Sequence, residues 1–205
     1  MIIGIIGTGS MGMGLAKQLG KTGYRVALGS RNPTKAKSKA DSILGEVKGG
    51  SIKDAIDFGE IIIPAVKYPL VLDVLKEYRE SLHSKIVVDI SNPVGIEIDK
   101  NTSTAEEIAK VIPKSIVLKA FNTVFSSILE SSPHFGNQRA NLFICGDEDN
   151  SKSILMEIGR VLGYEPIDIG PLKAARHLEA LALFQIYLGD VLDNWEITLK
   201  LLTRT

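Results

Sequence analysis

The residues best placed to do chemistry stand near the start of the chain. Gly7-Thr8-Gly9-Ser10-Met11-Gly12 follows the apolar run Ile2-Ile3-Gly4-Ile5-Ile6, and Gly29-Ser30-Arg31 closes the next apolar run. Glycines spaced G-x-G-x-x-G between a strand-like and a helix-like stretch suit a phosphate-cradling turn. Gly7 permits the sharp strand-to-helix turn, Gly9 leaves room for the backbone to touch a pyrophosphate, and Gly12 lets helix and strand pack closely. Unpaired N–H groups at the helix start would then hold the anion. The flanks agree. Ile2, Ile3, Ile5 and Ile6 suit a strand buried on both faces. Met11, Leu15 and Leu19 recur at helical spacing, and Gly20 or Gly23 can stop that helix. The motif in this setting predicts a bound dinucleotide.

The end of the second strand, read over residues 25–28, decides which dinucleotide. NAD-preferring proteins place Asp or Glu there to accept bonds from the ribose 2′-hydroxyl, and an acid would repel a 2′-phosphate. Here Ser30 can donate a hydroxyl and Arg31 a planar charged fork, so the expected cofactor is NADP(H). Lys35 adds a third contact if Asn32-Pro33 opens the next helix.

Acid–base chemistry is harder to find. His83, His134 and His177 sit in three separate segments, and only His134, in a loop, is a candidate to reach the site. No metal-ligand spacing and no nucleophile turn is present, and Cys145 within an apolar strand reads as inert core. Carbonyl reduction normally needs a proton donor for the developing alkoxide. Hydride exchange between nicotinamide and an isoalloxazine-type ring depends mainly on stacking at near-attack distance with water kept out. No catalytic side chain is therefore assigned. A small apolar pocket of Ala65, Val66, Ala120, Phe121 and Val124 fits that task, with Asn92 and Asn122 as polar contacts. Both asparagines also lie in ordinary turn sequences.

These residues need strands and helices to position them. Apolar runs alternate with helix-like stretches, which predicts an α/β Rossmann-type, doubly wound, mostly parallel sheet with a C-terminal helical segment. After the first unit come a helix start at Ser51-Ile52-Lys53-Asp54, a strand over 61–66 and a helix over 70–78. A strand over 86–90 follows, then a short helix with the capping box Thr104-x-x-Glu107. Further strands fall at 116–120 and 142–145. The 125–140 segment reads as loop, Asp149 or Asn150 caps a helix to about Leu162, and 166–169 forms the last strand. We expect one domain over 1–205. Its residues 172–205 would form a helical extension, apolar on more than one face, that covers the acceptor site or makes a dimer interface.

Composition narrows the partners. The chain has 205 residues, 44% hydrophobic and 23% charged, with formal net charge zero. Balanced charge gives no reason to expect nucleic acid or an anionic membrane surface. No uninterrupted apolar run reaches the ~18–20 residues of a membrane span. One cysteine and no secretory leader point to a cytoplasmic setting.

Several motifs then occur in order: Gly7-Thr8-Gly9-Ser10-Met11-Gly12, Gly29-Ser30-Arg31, Val88-Asp89-Ile90-Ser91-Asn92-Pro93, Lys119-Ala120-Phe121-Asn122-Thr123, Ile144-Cys145-Gly146-Asp147, and Gly170-Pro171-Leu172 with Ala175-Arg176-x-x-Glu179. Together they resemble the NADPH-dependent coenzyme F420 reductases (F420-dependent NADP oxidoreductases) and the oxidoreductase domain of the STEAP metalloreductases. The resemblance covers almost the whole chain. It implies NADP held by Thr8 to Met11, with Ser30, Arg31 and Lys35 around the 2′-phosphate and contacts near Ala65, Val66, Asn92 and Ala120. It also implies a deazaflavin over the nicotinamide, partly covered by C-terminal residues, and a homodimer. Archaeal deazaflavin-using members carry a His-Thr loop where this chain has Asn122-Thr123, so coenzyme F420, FMN and FAD all stand as acceptors. The rivals are a small-substrate dehydrogenase or imine reductase and a non-catalytic NADP-sensing module.

Overall fold

A computed structural model describes residues 1–204. Strand β1 (Ile2–Ile6) leads through helix α1 (Ser10–Lys21) to β2 (Arg25–Ser30), then α2 (Pro33–Ala40), β3 (Val47–Ser51), α3 (Ile52–Phe58) and β4 (Ile61–Pro64). The chain continues as α4 (Leu70–Glu77), β5 (Ile86–Asp89), α5 (Thr104–Val111), β6 (Ile116–Lys119) and α6 (Ser126–Glu130). After these come β7 (His134–Phe135), β8 (Gln138–Arg139), β9 (Asn141–Gly146), α7 (Asp149–Val161), β10 (Glu165–Asp168) and α8 (Ala175–Leu192). Eight strands form one sheet in the order β10-β9-β6-β5-β4-β1-β2-β3. Every pairing is parallel except β6 with β9. Read from β3 to β6 this is the doubly wound 3-2-1-4-5-6 order, whose switch point lies between β1 and β4.

The strands are apolar almost throughout because helices cover both faces of the sheet. Alternation along each strand divides the core in two. Ile3, Ile5, Ile61, Ile63, Val88 and Leu118 pack with Leu15 and Leu19 of α1 and Leu155 and Ile158 of α7. Ile6, Ile62, Val87 and Val117 pack on the other face with Ile52 and Ile56 of α3, Val71 and Leu75 of α4, Ile108 of α5 and Leu178 of α8.

The expected α/β class stands, with several local corrections. β3, Val-Lys-Gly-Gly-Ser, is an edge strand without an apolar run, so hydrophobic periodicity passes over it. The strand over 61–66 ends at Pro64, leaving Ala65 and Val66 in the loop that follows. The cap of α5 is Ser103, whose hydroxyl accepts from the Glu106 N–H. The expected box is displaced by one residue because Thr104 is committed to the core. Glu148, rather than Asp149 or Asn150, caps α7 by accepting from the Asn150 and Ser151 N–H groups. The 125–140 segment contains α6 and the β7–β8 hairpin.

The C-terminal extension is helical only in part. A 3-10 turn over Leu172–Ala174 and α8 are followed at Asp193 by a left-handed residue, φ +45°. Residues 194–204 are irregular and fold back on the body. The Gln185 amide donates to the Ile197 carbonyl at 3.1 Å, and the Leu201 N–H donates to Asn141 Oδ1 at 2.7 Å. Among the described residues no helix is long and apolar enough to cross a membrane. α8 buries one face and exposes Phe184, Tyr187, Val191 and Leu192 on the other.

Candidate functional site

The glycine turn is held tightly. Gly7 has φ +116°, and its N–H donates to the Gly29 carbonyl at 2.8 Å, tying the turn to the end of β2. A Cβ on Gly7 would sit 2.5 Å from the Ala65 carbonyl oxygen, and one on Gly12 would sit 2.2 Å from the Gly7 carbonyl oxygen. A Cβ on Gly9 would meet nothing within 4 Å. Gly7 and Gly12 are therefore required by the fold, while Gly9 is not. The first backbone bond of α1 runs from Met13 N–H to the Gly9 carbonyl at 2.9 Å, so the N–H groups of Ser10, Met11 and Gly12 precede the helical ladder. No side chain caps them and no acid stands in the first turn. That helix end is chemically fit for an anion.

Three adjoining clefts run along the carboxyl ends of the parallel strands. The first, of about 440 Å³, is lined by Gly7, Thr8, Ser30, Arg31, Ala65 and Val66, with Ile52, Leu70, Asp73 and Val74 among its other walls. The second, of about 340 Å³, shares Ala65 and Val66 and adds Met11, Tyr68, Ser91 and Asn92. The third, of about 370 Å³, shares Met11, Ile90 and Asn92 and reaches Asn122, Val124, Phe125, Ile186 and Trp195. Most residues picked out by sequence thus come together. Gly9 and Ser10 lie exposed at the turn beside them.

Two expectations need correction, for Ala120 with Phe121 and for His134. Ala120 and Phe121 are buried in the core and line none of these clefts. Asn32 caps α2 and Pro33 opens it, as the reading of Lys35 required, and the exposed Lys35 lies outside the lining of the three clefts. His134 pairs with Arg139 in the β7–β8 hairpin, shares a 3.1 Å contact with Ser132 Oγ and lines no cleft. Other residues emerge only from the fold. The Lys39 ammonium donates to the Thr8 carbonyl at 2.7 Å, which brings a cation to the glycine turn across a long sequence gap. Trp195 stacks edge-on against Phe125 with ring centroids 5.2 Å apart, and its carbonyl accepts from the Ser127 hydroxyl. No local pattern announces either residue.

The wall between the second and third clefts is built by hydrogen bonds. Phe121 adopts φ +58°, a strained conformation for a bulky residue, and directs the chain into Asn122. Asn92 Nδ2 donates to the Asn122 carbonyl at 2.7 Å, while Asn122 Nδ2 donates to Asn92 Oδ1 at 3.0 Å and to the Leu178 carbonyl at 2.9 Å. Asn122 Oδ1 is buried and has no hydrogen-bond partner among the described residues. Among the described residues, the third cleft carries no ionisable side chain in its lining. Lys67 and Tyr68 line the second, where burial pushes the Tyr68 phenol up and keeps it protonated. Cys145 lines none of the three, and burial pushes its thiol up to about 12.

A strand-turn-helix anion cradle at the switch point of a doubly wound sheet defines a dinucleotide-binding, Rossmann-type protein. Comparison with known proteins carries this further. The family described as NADP oxidoreductase coenzyme F420-dependent matches residues 2–93. The F420-dependent NADP reductase of Methanocaldococcus jannaschii is 32% identical over 194 residues, covering 85% of this chain and 86% of that protein. Metalloreductase STEAP3 of Rattus norvegicus is 33% identical over 95% of this chain, which spans only 38% of the metalloreductase's length. A crystal structure of a candidate F420-dependent NADP reductase from Arthrobacter sp. FB24 superposes with TM-score 0.86 at 24% identity, covering 98% of this chain and 99% of that one, and shares its fold. The chain belongs to the F420-dependent NADP oxidoreductase family, a family of NADP-dependent oxidoreductases.

Proposed function

We propose that this chain binds NADP(H) along the first two clefts and exchanges hydride with a flavin-type acceptor, coenzyme F420, FMN or FAD, in the third. The observation that carries this reading is the continuity of the clefts, with Ser30 and Arg31 at one end and Phe125 and Trp195 at the other. The Ser30 hydroxyl and Arg31 guanidinium bind the 2′-phosphate. The α1 N–H groups hold the pyrophosphate. Ala65 and Val66 wall the nucleotide, and Asn92 and Asn122 orient its far end. When bound, the cofactor supplies or receives the hydride at its nicotinamide ring. The apolar and aromatic lining of the third cleft excludes water and suits a flat ring stacked at near-attack distance.

Mixing the protein with NADPH and, separately, F420, FMN and FAD is expected to consume NADPH with one of them. Quenching of Trp195, the sole tryptophan, should report the acceptor's arrival. Tight NADPH binding without turnover would favour a sensing module, and turnover with a small keto acid or imine a dehydrogenase. We also propose that the exposed apolar face of α8 pairs two copies of the chain, a reading supported by its Phe184, Tyr187 and Val191.

A further inference from the structure

Behind the Asn92–Asn122 wall lies a buried charged cluster that the hydride-transfer reading does not use. Lys119, at the end of β6, is completely buried. Its ammonium donates to Asp89 Oδ2 at 2.7 Å, to the Ser91 carbonyl at 2.6 Å and to Glu179 Oε1 at 2.7 Å, with Thr104 Oγ1 also 2.7 Å away. The Thr104 hydroxyl lies 2.6 Å from Glu179 Oε1 and 2.9 Å from Asp89 Oδ2, and its N–H donates to the Glu179 carboxylate. One cation thus joins β5, β6, the start of α5 and the first turns of α8.

The cluster reaches the clefts by two short routes. Asp89 Oδ1 accepts from the Ser91 N–H at 2.9 Å and from its hydroxyl at 2.7 Å, so Ser91 is held at its carbonyl, amide and side chain together. Ser91 and its neighbour Asn92 line the second cleft. On the other side, Glu179 follows Leu178, whose carbonyl holds the Asn122 amide. Lys119 thus lies one residue from Asn92 through Ser91, and through Glu179 one residue from the carbonyl that accepts from Asn122, while lining none of the clefts.

We infer that Lys119, with Asp89, Thr104 and Glu179, is a positioning network that sets the nicotinamide-end wall of the cofactor site and couples it to α8. This rests on the reading that NADP(H) occupies the clefts. The cluster meets the loop that carries Asn92, at Ser91, and the turn of α8 whose Leu178 carbonyl accepts from Asn122. A buried ionic cluster is in any case weak support for stability, because desolvation offsets the attraction. Its value is a single geometry, since charges without water tolerate few alternative arrangements.

The test uses Thr104→Val, which deletes the hydroxyl at similar volume, and Glu179→Gln, which keeps the shape and removes the charge. Both spare Lys119, whose loss would strand two buried carboxylates. Calorimetry compares NADP⁺ with 2′,5′-ADP, which carries the Arg31-end phosphates and no nicotinamide. The expected result is 2′,5′-ADP affinity within twofold of wild type, with the preference for NADP⁺ over it reduced tenfold or more. Thr104→Ser should restore that preference. Variants that melt earlier yet keep the wild-type preference, or a wild type that binds the two ligands equally, overturn the proposal. Failure of the wild type to bind either ligand defeats instead the cofactor reading beneath it.

Discussion

At the residue scale, the proposed choice of nucleotide rests on Ser30 and Arg31. Arg31 is exposed at the mouth of the first cleft, and Ser30 Oγ accepts from the Asn32 N–H at 3.2 Å, which leaves its hydroxyl proton free to donate. A charge-assisted bond contributes about 1.5–3 kcal/mol, so Arg31→Asp should weaken NADPH binding by roughly 10–100-fold. NADH binding should change little, and titration of both nucleotides checks this; equal losses would contradict a phosphate role. The position of these two residues at the cleft was legible because it depends only on their place at the end of β2. Lys39 was not. Its tie to Thr8 spans a gap of 31 residues, and a lysine on a polar helix carries no sign of that. Ala120 misled for the converse reason. A small residue after a strand resembles a cleft wall, but the left-handed turn at Phe121 puts it inside the core.

At the scale of elements, the β1–α1 turn separates fold from function. Gly12→Ala puts a methyl 2.2 Å from the Gly7 carbonyl oxygen. Overpacking there should cost about 2–3 kcal/mol, visible as an earlier urea midpoint. Gly9 has φ −77° and ψ −178°, which alanine adopts readily, with open space ahead. Gly9→Ala should therefore change stability by less than about 1 kcal/mol yet reduce NADP⁺ affinity at least tenfold. Stability and affinity falling together for Gly9 would show that no ligand approaches it closely.

The seam between α5 and α8 has its own test. Arg176 donates two bonds to Glu106, Nε at 2.8 Å and Nη2 at 2.7 Å, and these hold the Glu106 carboxyl below its usual range against a smaller opposing effect of burial. A depressed carboxylate stabilises the fold above its ordinary value near 4.5 and loses that contribution as pH falls through the folded value. Wild type should thus melt later than Glu106→Gln at pH 7, and the gap should close on acidification below pH 4.5. A gap constant with pH would remove the pair from the account. The hydrogen-bonding partners of these caps and seams are specific in sequence only when local. The shift of the α5 cap to Ser103 follows from Thr104 being drawn to Glu179, a residue far along the chain.

For the whole molecule, the proposed pairing of two copies rests on the apolar exposed face of α8. A large exposed apolar patch marks an interaction surface. Phe184→Glu with Tyr187→Glu should convert a dimer to a monomer in sedimentation equilibrium without lowering NADP⁺ affinity. A wild type that sediments as a monomer at all concentrations would end that reading.

Sequence alone determined the α/β class, the glycine turn, the place of Ser30 and Arg31 at the end of β2 and the family, since each rests on patterns a few residues long. Their physics is complete within one turn or one strand end. Tertiary structure decided the rest: the antiparallel β9, the irregular tail that brings Trp195 to the third cleft, the mutual bonds of Asn92 and Asn122, and the buried Lys119 behind them. Those contacts join residues that only sheet order and strand register bring together. No spacing along the chain encodes them, because the free energy that selects one register belongs to the packed core as a whole.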